Sequence, residues 1–97
     1  MRLEGTWVVI DMVNTADYDV PVRHRIKLQL NGNDVHTAEG EELVNAKVTQ
    51  QAHHLLPDGL ADGSYLLNST VQTEGAASSF DAMTYIEVHD GAITVVP

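Results

Sequence analysis

In the run Val22-Arg23-His24-Arg25-Ile26-Lys27-Leu28-Gln29-Leu30-Asn31, side-chain character alternates at every step. Successive side chains of a β-strand point to opposite faces, so a period of two reads as a strand with one wet face and one buried face. Val22, His24, Ile26, Leu28 and Leu30 then face inward, and Arg23, Arg25 and Lys27 face outward. These three are most of the five basic residues in a chain whose formal net charge is −9. They are the candidate binding residues, a place where an acidic partner would dock. The plainer expectation is that they blunt edge pairing and meet acids on neighbouring strands, such as Glu87.

The run ends at Asn31-Gly32, the strongest short hairpin signal, because both residues tolerate the positive φ of a type I′ turn. Residues 35–37 are expected to return alongside. Upstream, residues 6–13 (Thr-Trp-Val-Val-Ile-Asp-Met-Val) are nearly continuous apolar and rich in β-branched types. Such a strand is covered on both faces or joined to another subunit. A polar connection closed by Pro21 separates the two. Downstream, residues 64–73 form the next strand, residues 74–81 a loop, and residues 83–89 and 92–96 a second hairpin about Asp90-Gly91.

Residues 41–56 read two ways. Val44, Val48, Ala52 and Leu55 stand at helical spacing, with Glu41 and Glu42 at the favourable end for a helix start. Val44, Ala46 and Val48 also alternate with Asn45, Lys47 and Thr49, and every flanking segment is strand-like. The strand reading is preferred, with a short helix within 41–56 as the competing one. Six or seven short strands with regular turn signals make an all-β, single-domain antiparallel sandwich over residues 1–97.

At 97 residues the chain holds one domain and buries enough surface to fold without staples. Fourteen acidic against five basic residues oppose contact with nucleic acid, whose phosphates require clustered Lys and Arg. The same balance opposes anionic membrane surfaces. No cysteine is present, which removes disulfides, thiolate metal sites and a cysteine nucleophile. No apolar run approaches a spanning helix and no cationic, apolar leader opens the chain, so a soluble protein without a signal peptide is expected, its compartment unread. Asn68-Ser69-Thr70 fits a glycosylation acceptor and reads here as ordinary strand residues.

Asp62-Gly63-Ser64-Tyr65-Leu66-Leu67 resembles the Asp-Gly-x-Tyr-x-Cys entry to the F strand of immunoglobulin-like domains. That resemblance implies an immunoglobulin-like or fibronectin-like sandwich in which the Tyr65 hydroxyl bonds back to the preceding corner, with Leu67 where the family has its second cysteine. The chain departs from the family in lacking the disulfide and in carrying its only tryptophan, Trp7, in the first strand. Gly5-Thr6-Trp7 is also similar to the Gly-x-Trp start of lipocalins, whose barrel needs a longer chain.

Five histidines show none of the spacings of a metal site, and His53 and His54, being adjacent, would face opposite ways on a strand. His24 is expected as a hydrogen-bonded histidine on a partly buried face. Asp17 and Asp19, near Asp11 and Asn14, form the one oxygen-rich loop that could take Ca²⁺. Ser69, Ser78 and Ser79 lack a nucleophile elbow, and no carboxylate pair is marked by its context. The expectation is a non-catalytic structural, assembly or accessory protein–protein interaction module without cofactor, as in a viral particle, a surface filament or an enzyme assembly. Its partner is a protein, with self-association through residues 6–13 or 93–96 expected. One alternative is a carbohydrate- or small-ligand-binding sandwich using Trp7, Tyr18 and Tyr85 as stacking platforms. Another is a small non-catalytic subunit of a multi-subunit enzyme.

Overall fold

A computed structural model describes residues 1–74 and 79–96. Eight strands form two antiparallel sheets. The first sheet contains β1 (Arg2–Glu4), β2 (Trp7–Val13) and β5 (Thr49–Leu55) in the order β1-β2-β5. The second contains β3 (Val20–Leu30), β4 (Asn33–Val44), β6 (Gly63–Thr73), β7 (Phe80–His89) and β8 (Ala92–Val96) in the order β4-β3-β6-β7-β8. The all-β sandwich expectation holds. The count exceeds the expected six or seven because β1 folds back on β2 through Gly5 (φ 63°), too short a strand to show a period.

Both hairpin signals hold. Asn31 and Gly32 (φ 53° and 81°) join β3 to β4, and Asp90 and Gly91 (φ 49° and 80°) join β7 to β8. Consecutive positive φ values are what type I′ turns require, and their twist matches that of the strands they join. The return strand is far longer than residues 35–37, since β4 runs to Val44 after a bulge opposite Leu28 and Gln29. The loop expected over 74–81 lies in part outside the described residues, and Phe80 and Asp81 at its end belong to β7.

No helix forms within 41–56. Val44 closes β4, Asn45 to Val48 make a turn in which the Val48 amide donates to the Asn45 carbonyl at 3.2 Å, and β5 then begins. Lys47 sits at φ 61°, a conformation no helix can hold. The helical spacing is thus coincidental, and the alternation at 44–49 belongs to that turn. The true alternation lies in β5, where Ala52 and His54 face in and Gln51, His53 and Leu55 face out.

The core lies between the sheets. Val8, Ile10, Met12, Ala52 and Leu56 meet Val22, Ile26, Leu28, Leu67, Ile86 and Val88, all buried. Each large apolar side chain removed from water contributes about 1.5–3 kcal/mol, so this set outweighs every polar contact in the molecule. Tyr65 joins it, 2% exposed, and its hydroxyl donates to the Ala61 carbonyl at 2.6 Å. This is the back-bond expected of the Asp62-Gly63-Ser64-Tyr65 segment.

β2 is the middle strand of its sheet, which corrects the expectation that residues 6–13 present a bare edge. Val9 on its outer face is buried between its register neighbours Arg2 and His53 within the same chain. β8 is an edge strand of the larger sheet, paired only with β7, as β4 is at the other edge and β1 and β5 are in the small sheet.

Candidate functional site

The pleat of β3 places Arg23, Arg25 and Lys27 on the outer face of the five-stranded sheet, as its alternation requires. Their partners come from β4. Arg23 Nε lies 3.1 Å from Glu41 Oε1 and Lys27 Nζ 3.6 Å from Asp34 Oδ2. Arg25 stands across from Glu39 in register and makes no ion pair within 4 Å among the described residues. Glu87 is two strands away, opposite Ser64 and Thr94, and takes no part. A surface cavity of about 420 Å³ opens here, lined by Arg23, His24, Arg25, Glu39, Gly40, Glu41, Thr70 and Gln72. Two guanidinium groups against two carboxylates make a mixed-charge groove, suited to a polar or zwitterionic surface and poorly to a polyanion.

In the oxygen-rich loop both carboxylates have protein partners. Asp17 faces the Lys47 ammonium at 3.2 Å, and Asp19 accepts from the Ala46 amide at 2.9 Å. Asp11 lies on the outer face of β2, where Gln51 and Arg2 bond it and hold its carboxyl below the usual range. Asn14, buried, gives its amide to the Tyr18, Val44 and Asn45 carbonyls and accepts from the Ala16 amide, which fastens the loop to the end of β4. Asp62, His89 and Asp90 are a surface group with metal-ligand atoms close together, and Asp62 Oδ1 already accepts from the Asp90 amide at 3.0 Å.

The three aromatic platforms disperse. Trp7 lies edge-on to His53 on the outer face of the small sheet, Tyr18 stands in the loop before β3, and Tyr85 lies on the outer face of the large sheet. A second cavity of about 380 Å³ sits at one end of the sandwich, lined by Met12, Val13, Tyr18, Val20, Val71 and Phe80 among others.

A polar cluster between the sheets escaped the sequence reading. His24 on β3 and His54 on β5 approach within 2.7 Å, Nδ1 to Nε2, both buried. Glu42 Oε1 faces the second nitrogen of His24 at 3.7 Å, and Glu42 Oε2 accepts from Gln50 at 3.0 Å. Burial, and then the charge of His24, lower the pKa of His54 below the ordinary histidine range. The ring of His24 rests over Gly40, where a Cβ would overlap it.

At the free end of the large sheet, β8 carries no charged residue, and Val95, Val96, Met83 and Tyr85 lie exposed on and beside it. In comparison with known proteins, no family model matches the chain, and no curated protein and no solved structure matches it.

Proposed function

We propose that the chain is a non-catalytic contact module, a structural, assembly or accessory unit that extends its larger sheet along β8 into a second copy of itself. The bare β8 edge carries this reading. Edge strands of soluble proteins are guarded by lysine, proline, a bulge or a covering loop, and the described residues of β8 have none of these charged or cyclic guards. On a chain of net charge −9, a charge-free edge is where two copies approach with least repulsion.

The sheet orders support an immunoglobulin-like assignment within this reading. β1-β2-β5 and β4-β3-β6-β7 correspond to the A-B-E and C′-C-F-G strands of such sandwiches, with Tyr65 at the start of the F position and β8 as an addition beyond G. That superfold hosts many functions, so the assignment narrows architecture and leaves activity to the surfaces. The dispersal of Trp7, Tyr18 and Tyr85 weighs against a sugar platform. A small-ligand reading draws on the end cavity of about 380 Å³, where Val20, Val71 and Phe80 stand beside Asp11, Asn14 and Thr73 and the volume falls in the usual range for ligand pockets.

Sedimentation velocity at rising micromolar concentration tests the assembly reading. The wild type is expected to approach twice the 10.6 kDa of one chain. Thr94→Lys, which sets a charge beside the bare edge, is expected to return the monomer. A wild type that stays monomeric throughout would remove self-assembly and leave a heterologous partner for β8.

A further inference from the structure

Side-chain hydrogen bonds from a strand of one sheet to a strand of the other join His24 to His54 and Gln50 to Glu42. Both meet at Glu42, along the side of the sandwich where β4 and β5 lie together. The first is conditional on protons. An N–H···N bond between imidazoles requires one ring to keep a bare nitrogen. With both rings neutral it holds. With one proton added it also holds, since the cation donates to the neutral ring and Glu42 stands 3.7 Å from His24 as counter-ion. With two added there is no acceptor, and two cations lie together in the interior.

The seat is built for this pair. His24 is 5% exposed, its Nε2 has no hydrogen-bond partner, and only a glycine at position 40 leaves space for the ring. Among the described residues, the other groups that face the pair bring no second counter-charge. From β4 come Glu42 and the more distant His36, whose charge disfavours a proton on His54. The register neighbours are Val71 on β6 and Val8 on β2. Arg23 and Arg25 lie on the opposite face of β3. Glu42 faces the nitrogen of His24 that is turned away from His54, so the three side chains do not bring one ligand atom each to a common point, and what passes between them is the proton.

We propose that His24, His54 and Glu42 form a proton-operated latch between the two sheets, closed with no more than one added proton and opened by the second, so that mild acid loosens the β4–β5 side while the β3-β6-β7 core persists. The sign follows from linkage. His54 binds its proton less readily folded than unfolded, so the latch's contribution is complete above about pH 6.5, the value of a free histidine, and declines as pH falls below it.

Amide hydrogen exchange followed by NMR from pH 7.5 to 5, corrected for intrinsic rates, tests this. Protection in β5 is expected to fall at least about tenfold more than protection in β6, the population ratio carried by one pH unit of separation. His54→Gln keeps a donor toward His24 and takes no proton, so it is expected to abolish that difference. Equal loss in β5 and β6, or a pH response that survives in His54→Gln, overturns the latch. If His54→Gln does not fold, the wild-type ring signals decide. Two separated steps for the pair support it, and a single uncoupled step at the free-imidazole position overturns it.

Discussion

The Tyr65 hydroxyl donates to the Ala61 carbonyl at 2.6 Å, four residues back, while its ring lies 2% exposed among Leu67, Ile86 and their neighbours. One side chain thereby fills the core and closes the corner that leads into β6. Tyr65→Ala is expected to cost about 3–5 kcal/mol, the usual range for truncating a buried aromatic ring. Tyr65→Phe keeps the packing and loses one hydrogen bond, so about 1 kcal/mol is expected. Urea unfolding of the two variants separates these contributions, and an unchanged midpoint for alanine would remove Tyr65 from the core.

Gly40 is explained by its neighbour. Its φ is not in the positive region, so alanine is allowed by the backbone, and in a strand it would ordinarily add about 0.5–1 kcal/mol. A Cβ there overlaps the His24 ring, which its bond to His54 holds in place. The overlap is expected to win, with Gly40→Ala costing roughly 1–3 kcal/mol as overpacked cores do. In a His24→Ala background the same change should become neutral or stabilising. A double-mutant cycle from thermal unfolding reads this directly, and a cost for Gly40→Ala that persists without His24 would refute the explanation.

What was legible in the chain was what is local. Asn31-Gly32 and Asp90-Gly91 carry their turns in two residues each, β3 shows its faces over eleven, and Tyr65 finds its acceptor four residues away. The same locality explains the misses. β1 has three residues, less than a readable period. Residues 41–56 held fragments of two strands and a turn, so a window over them mixed unrelated periods. His24 and His54 are 30 residues apart, and nothing in either segment announces the other; the one local clue is Gly40, small and out of place in a strand interior, which marks a close approach. The outward placement of Arg23, Arg25 and Lys27 was legible, but Glu41 and Asp34 could be matched to the stripe only through a register that includes a bulge.

For the basic stripe the geometry separates fold from contact. The ion pair Arg23–Glu41 is well exposed on both sides, and pairs of that kind contribute about 0–1 kcal/mol. Arg23→Gln, Arg25→Gln and Lys27→Gln combined are therefore expected to shift the unfolding midpoint only slightly. If the groove beside them binds a partner, the triple variant loses that association and the wild type shows it weakening with salt. A large fall in stability would instead make the stripe part of the fold.

Asn14 holds a position that none of its sequence neighbours could fill. It is buried, its amide reaches the Val44 carbonyl at 3.0 Å and the Tyr18 carbonyl at 2.8 Å, and its own oxygen takes the Ala16 amide at 2.9 Å. An amide carries two N–H donors on one atom and an acceptor on another, and aspartate, similar in size, offers acceptors alone. Asn14→Ala leaves the buried Val44 oxygen without this donor, and the penalty for a buried group left unpaired is about 1–3 kcal/mol. Asn14→Asp is expected to cost at least as much at neutral pH, because it turns a carboxylate toward the same carbonyl oxygens. Lys47→Ala provides the contrast. Its bonds to the Thr15 carbonyl and to Asp17 lie at the surface, so a change within about 0.5 kcal/mol is expected. Chemical unfolding of the three variants orders them, and an Asn14→Ala protein as stable as Lys47→Ala would mean that the loop is held by its turn alone.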